Sequence, residues 1–215
     1  MRTKFKYFIF SVFVCTGLWS CQESNSQLPF FNSADFKPEW IPTNSDKYNS
    51  IHKIDEFSFV DQEGRTITNQ DFDGKIYVAD FFFTTCPGIC PQMTDNMKIL
   101  QEKYKHDDKF KLISHSVTPW LDTVAQLKRY ADLYEVDPSK WHLVTGPTDA
   151  IYNLARQSYF AEKEIGLQLT EDDFLHTENF LLIDPKRRIR GIYNGTVSDE
   201  IDRIEHDIKI LQEEL

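Results

Sequence analysis

The sequence predicts an α/β domain: a mixed central sheet flanked by helices, with an N-terminal hairpin and an inserted loop. Three observations predict it. Ile76 to Phe83 is an apolar, aromatic and β-branched run of the kind that forms a buried central strand. From there to residue 160, strand patterns alternate with helical ones, which implies right-handed crossovers in a layered sheet. Two short strands then flank Asp184-Pro185-Lys186-Arg187, a four-residue turn that adds an antiparallel hairpin to that sheet.

The elements follow in order. Arg2, Lys4 and Lys6 precede an apolar stretch, Tyr7 to Val14, that is too short to span a membrane, and together they read as a targeting leader over 1–20. Residues 21–50 are polar and turn-rich and are expected to be a flexible tether, with Trp40 and Ile41 as candidates for docking on the domain edge. The domain is expected over 51–215. Phe57 to Val60 and Arg65 to Thr68 form the hairpin, joined by Asp61-Gln62-Glu63-Gly64, and would cover an end of the fold. After the central strand a helix is expected from about Gln92 to Tyr104, with Pro91 in its first turn, where a missing N–H costs nothing. Phe110 to Ser116 is the next strand. An amphipathic helix follows over Asp122 to Tyr134, with Asp122 as its cap. Trp141 to Val144 is a third short strand, and Thr148 is expected to cap a helix reaching Phe160. Residues 162–175 read as an acidic loop, and Phe180 to Ile183 and Arg188 to Tyr193 are the last strands. The closing helix, from about Ser198 to Glu213, carries Ile201, Ile204, Ile208 and Leu211 as one apolar stripe that seals the sheet.

Charge narrows the function. The chain holds 24 Lys+Arg against 34 Asp+Glu, a net of −10; three basic and no acidic residues lie in 1–20, so the remainder carries 21 against 34, a net of −13. That balance argues against nucleic-acid binding.

Chemistry concentrates at the end of the central strand, in Thr84-Thr85-Cys86-Pro87-Gly88-Ile89-Cys90-Pro91. A strand-to-helix junction places the thiols at a helix N-terminus, where unpaired N–H groups and the helix dipole favour a thiolate. Three intervening residues put the two sulfurs about one turn apart on one side if the segment is helical. Such a pair can close a disulfide or hold one soft metal; two sulfurs suit Cu(I), and an added imidazole accommodates Cu(II). Asp80, six residues before Cys86 in an otherwise apolar strand, is either a desolvated proton-transfer group or an aspartate that finds a hydrogen bond at a strand bend. His115 reads as a strand residue or a group behind the site, and Met93 as a core side chain rather than a sulfur ligand.

The cysteine motif resembles that of the Sco/SenC family, copper-binding, thioredoxin-like proteins that serve cytochrome c oxidase assembly. Two further segments carry the resemblance: Ser116-Val117-Thr118-Pro119-Trp120-Leu121-Asp122-Thr123, and His176-Thr177-Glu178-Asn179-Phe180-Leu181-Leu182-Ile183-Asp184. The matches cover roughly residues 76 to 193. The resemblance implies a thioredoxin-like fold, a copper site of Cys86, Cys90 and His176, and a copper-receiving partner that is a cytochrome c oxidase subunit. It leaves open a thiol–disulfide oxidoreductase in which Cys86 and Cys90 cycle, with Asp80 moving the proton, as in disulfide-handling thioredoxins. The chain departs from the family pattern in two places: Gly88 and Thr118 stand where the family commonly has aspartate. At the other end, Leu18-Trp19-Ser20-Cys21 resembles a bacterial lipobox, implying a lipidated Cys21 and an extracytoplasmic, membrane-anchored protein of the bacterial cell envelope; an ordinary cleaved signal is the alternative.

Overall fold

The computed structural model describes residues 27–161 and 177–214. Its centre is a seven-stranded mixed sheet in the order β4 (Thr66–Thr68), β3 (Ser58–Asp61), β7 (Trp141–Thr145), β6 (Phe110–Ser116), β5 (Ile76–Phe82), β8 (Asn179–Ile183), β9 (Ile189–Asn194). Strand β5 (Ile76–Phe82) is buried along its whole length and pairs parallel with β6 (Phe110–Ser116), which pairs parallel with β7 (Trp141–Thr145). On the other side of β5, β8 (Asn179–Ile183) and β9 (Ile189–Asn194) run as an antiparallel hairpin.

Alternation along β5 divides the core. Ile76, Val78 and Phe82 point to one face. There they meet α1 (Cys90–Lys103), α2 (Val124–Tyr134) and α4 (Asp199–Glu213), through Met93, Met97 and Leu100 of α1 and the stripe Ile201, Ile204, Ile208 and Leu211 of α4. Tyr77, Ala79 and Phe81 point to the other face and pack on α3 (Thr148–Asn153) and the wider π turn Leu154–Ser158 that continues it. This is the thioredoxin-like arrangement that the sequence predicts.

Several expectations need correcting. The hairpin of β3 (Ser58–Asp61) and β4 (Thr66–Thr68) does not cover an end of the fold. Val60 and Asp61 pair antiparallel with Thr145 and Val144, so it extends the sheet at the β7 edge. The α2 cap is Thr123, whose hydroxyl accepts from the Gln126 N–H at 3.3 Å, not Asp122, which is drawn inward. Thr148 is the first residue of α3 and makes no side-chain cap, and Pro147 precedes it.

The tether expected over 21–50 is a packed strap from residue 28 onward. Residues Phe30–Phe31 (β1) and Pro38–Glu39 (β2) pair antiparallel, and Phe30, Ile41 and Ile51 form a small core of their own. The buried Arg190 guanidinium holds the strap, donating to the Leu28 carbonyl at 2.7 Å and the Pro29 carbonyl at 3.0 Å and stacking over the Phe30 ring at 4.8 Å or less with Arg188. Glu214, just past α4, accepts from the Leu28 N–H at 2.8 Å. Ile41 is buried as expected, whereas Trp40 stays half exposed, with its indole N–H on the Gln27 carbonyl at 3.2 Å. The expected leader, the lipobox Cys21, the loop 162–175 and His176 lie outside the described residues.

Candidate redox and metal site

The site forms where β5 ends and α1 begins. A turn closes the strand, with the Cys86 N–H on the Phe83 carbonyl at 3.3 Å. The helix starts at Cys90, two residues earlier than the sequence pattern predicts, with Pro91 in its first turn. Both cysteines are free thiols; Cys86 is partly exposed and Cys90 is 4 % exposed.

Their surroundings push the two thiols apart. Partial burial raises the Cys86 pKa, but the Cys90 N–H and thiol and the N–H groups of Gly88 and Ile89 outweigh it and hold Cys86 below the usual thiol value. Burial pushes Cys90 up to about 12; the Phe83 backbone opposes this, and the negative charge of Cys86 and Asp80 adds to it. Of the two, Cys86 is the more readily ionised thiol and Cys90 the one whose burial disfavours the thiolate.

Asp80 lies on the α1 face of β5 by the same alternation and is 2 % exposed. Its register partner on β6 is Ser114, whose hydroxyl also accepts from the Trp141 indole N–H at 2.8 Å. Among the described residues its Oδ1 has no hydrogen-bond partner. Burial raises its carboxyl to about 7, against the opposing pull of Ser114 and of its own N–H. Asp80 thus combines a feature of each reading: it is desolvated with one oxygen free among the described residues, and it also finds a hydrogen bond in Ser114.

The other candidates stand apart. Met93 is fully buried in the core beside Cys90, as a packing residue. His115 points to the opposite face, enclosed by Phe57, Phe59, Phe81 and Tyr159 at ring-centroid distances of 5.2 to 5.7 Å, with neither ring nitrogen bonded among the described residues. Burial lowers its pKa to about 3. His142 is engaged with Asp61 at 3.2 Å. No group of three potential metal ligands is assembled among the described residues.

The sequence pattern marks one neighbour of the cysteine turn only as a helix cap. Asp122 is completely buried behind the cysteine turn. Its Oδ1 accepts from the Thr84 hydroxyl at 2.5 Å, and both carboxylate oxygens lie 3.3 to 3.4 Å from the Thr84 N–H. Its Oδ2 accepts from the Ser116 hydroxyl at 2.6 Å and the Thr118 hydroxyl at 3.0 Å. Gln126 of α2 donates to the Thr84 hydroxyl oxygen at 3.0 Å. The available signal was three hydroxyl residues at the ends of adjacent strands with a single carboxylate after them.

The SCO1/SenC family model matches residues 45–212, which include both cysteines, Asp80 and Asp122. The chain belongs to the SCO1/SenC family. Among solved Sco structures, a SCO1/SenC family lipoprotein from Bacillus anthracis is 30 % identical, with a TM-score of 0.66 over 75 % of this chain and 95 % of that one. BsSco, described as a member of the Sco family of cytochrome c oxidase assembly proteins in which a disulfide switch was identified, is 31 % identical, with a TM-score of 0.61 over 74 % and 93 % of the two chains. Arabidopsis thaliana ScoI with copper bound is 25 % identical, with a TM-score of 0.57 over 72 % and 97 %.

Proposed function

We propose that this Sco protein is a copper chaperone. It holds copper on Cys86, Cys90 and His176, is anchored through lipid on Cys21, and delivers its cargo outside the cytoplasm to a copper centre of cytochrome c oxidase. The observation that carries the reading is the pair of free thiols at the β5–α1 junction, Cys86 after the turn that ends the strand and Cys90 at the first residue of the helix. The segment between them is not helical, but the two sulfurs are within hydrogen-bonding reach of each other; such a pair is a soft donor set for Cu(I), and a third, imidazole donor completes a trigonal site. The family's copper-bound member and its oxidase-assembly member support the cargo and the recipient. The lipoprotein relative supports the anchor.

Loading the site requires both sulfurs as thiolates, so Cys90 must lose a proton that its surroundings hold tightly. Asp80, on the same face of the sheet and with one oxygen free, is the group to receive it. Anchoring also has a direction. The strap docks at Arg190 and Glu214, where β9 begins and α4 has ended. The cysteines lie at the other end of the sheet, where Gln92 and Asn96 of α1 donate to the carbonyls of Thr196 and Gly195 beyond β9. Seven peptide steps from Cys21 to Leu28 reach at most about 25 Å. The thiols would then face away from the membrane, toward a partner's extracytoplasmic domain.

The test is copper stoichiometry and affinity on the reduced chain from residue 22, beside His176→Ala. One tightly held copper per chain, lost in the variant, supports the chaperone. Unchanged affinity in His176→Ala removes the three-ligand site.

A specific observation also favours a second reading: the split between Cys86 and Cys90 with an acid behind them is what disulfide exchange needs. Cys86 would attack a partner disulfide and release one partner thiolate. Cys90, giving its proton to Asp80, would then attack the Cys86 sulfur and release the second. Two electrons pass to the partner, and Cys86–Cys90 becomes the disulfide. Disulfide exchange that survives His176→Ala while copper binding is lost would show that both activities share the thiols.

A further inference from the structure

We propose that Asp122 is a positioning residue for Cys86: its buried carboxylate ties the turn that carries the reactive sulfur to the ends of β5 and β6 and to the start of α2. The proposal rests on the reading that Cys86 and Cys90 are the working groups, but not on copper being their cargo.

The argument is one of constraint. Thr84 and Thr85 are the central residues of the turn closed between Phe83 and Cys86. Strand pairing ends before them, since Phe82 is the last β5 residue in register with β6. Nothing in the sheet ladder therefore fixes Thr84, and Asp122 supplies the missing hold at two atoms of that residue, its N–H and its hydroxyl. The same carboxylate is itself fixed by Ser116, the last residue of β6, and by Thr118. It also directly precedes Thr123, the α2 cap, while Gln126 in the first turn of α2 closes the set on Thr84. Three elements thus converge on one carboxylate two residues upstream of Cys86. Charge-assisted hydrogen bonds to a buried carboxylate are the strong class, and a fully satisfied buried set fixes geometry.

The geometry at stake is the Cys86 sulfur against the N–H groups of Gly88, Ile89 and Cys90. A turn free to drift loses that alignment. The site also accounts for a departure from the family pattern. Thr118, where aspartate is common, places a hydroxyl on Asp122 Oδ2 rather than a second carboxylate. In this chain the hold on the turn is complete with one acid.

The experiment is the Cys86–Cys90 equilibrium of the full chain in glutathione buffers, without copper. Each oxidation joins the two sulfurs and passes two electrons and two protons to glutathione disulfide, giving two glutathione thiols. Asp122→Ala should move this equilibrium about tenfold toward the disulfide, about 30 mV more negative, because the reduced form loses its alignment. Asp122→Asn, which keeps an acceptor for Thr84, should stay within about twofold. Thr84→Val, which removes the hydroxyl link and leaves Asp122 in place, should shift the same way as Asp122→Ala and carries the test if that variant does not fold. A shift of Asp122→Ala and Asp122→Asn together toward the dithiol would mean that Asp122 acts only by charge, and would overturn the proposal. So would unmoved potentials in folded variants with lowered Tm, the mark of a purely structural residue. A chain that binds no copper leaves this test intact, and failure here leaves the copper site standing.

Discussion

Two buried titratable side chains, Asp80 and His115, lie on opposite faces of the same sheet and give the molecule opposite responses to pH. Asp80 has its folded pKa raised from 3.8 to about 7, so between those values the folded state holds more protons than the unfolded chain. The resulting stability is fully present below 3.8 and is lost as pH rises through 7, in total about 4 kcal/mol. His115 has its folded pKa lowered from 6.5 to about 3 by burial among aromatic rings. Its contribution is present above 6.5 and is lost as pH falls toward 3. Urea unfolding at pH 5 and pH 8 checks the first: Asp80→Asn should gain stability over the parent at pH 8 and much less at pH 5. The same measurement at pH 4 and pH 7 checks the second, where His115→Leu should gain more in acid. A constant difference across pH in either variant would show that the group does not titrate between the two states. The position of Asp80 was legible in the sequence, as one acid in an apolar run. The isolation of His115 was not, because its cage comes from Phe57, Phe59 and Tyr159, residues distant in the chain that only the sheet brings together.

Where β5 passes into α1, strand and helix patterns are strong enough to be read from the chain alone. The apolar run of β5 and the stripe of α4 both appear where expected, since each is a local period that burial alone explains. Asp122 misled because an acid just before a helical pattern fits the capping rule, while its partners Thr84, Ser116 and Thr118 are set by tertiary packing. Gly88 allows a test of the element as a whole. A Cβ added there would meet the Cys86 sulfur at 4.0 Å, an ordinary contact, and the position has no positive φ. Gly88→Asp, the family's common residue, should therefore fold with unchanged or slightly raised Tm, because an acid near a helix N-terminus is favourable by about 0.3–1 kcal/mol. Its charge should raise the Cys86 pKa and slow alkylation of Cys86 at pH 7 by roughly tenfold. Alkylation as fast as in the parent would mean that the new carboxylate turns to solvent.

For the molecule as a whole, the N-terminal strap decides where the domain begins. Its apolar residues, Leu28, Phe30 and Ile41, are scattered among polar ones with no helical or strand period, so the sequence reads as a tether. They are buried next to an arginine about 160 residues further along the chain, which holds the Leu28 and Pro29 carbonyls and stacks on Phe30. That arginine makes the strap part of the fold. Arg190 is 1 % exposed, with Asp184 at 3.5 Å and Glu214 at 2.8 Å as its acids and the carbonyls of Leu28 and Pro29 as further acceptors. Removing the strap uncovers the apolar face beneath Leu28 and takes both carbonyls and the Phe30 ring from the guanidinium. Each buried apolar side chain lost is worth about 1.5–3 kcal/mol, and a charged donor left without its partners costs about as much again. A chain starting at residue 51, the boundary that the sequence predicts, should therefore be less stable than one starting at residue 27 by ~3 kcal/mol or more. Denaturant unfolding of the two chains measures it directly. The difference should shrink in the background Arg190→Leu, because a neutral apolar side chain no longer needs the strap's carbonyls. Equal stability of the two chains would return residues 28 to 50 to the role of a tether and leave Arg190 held by its acids alone.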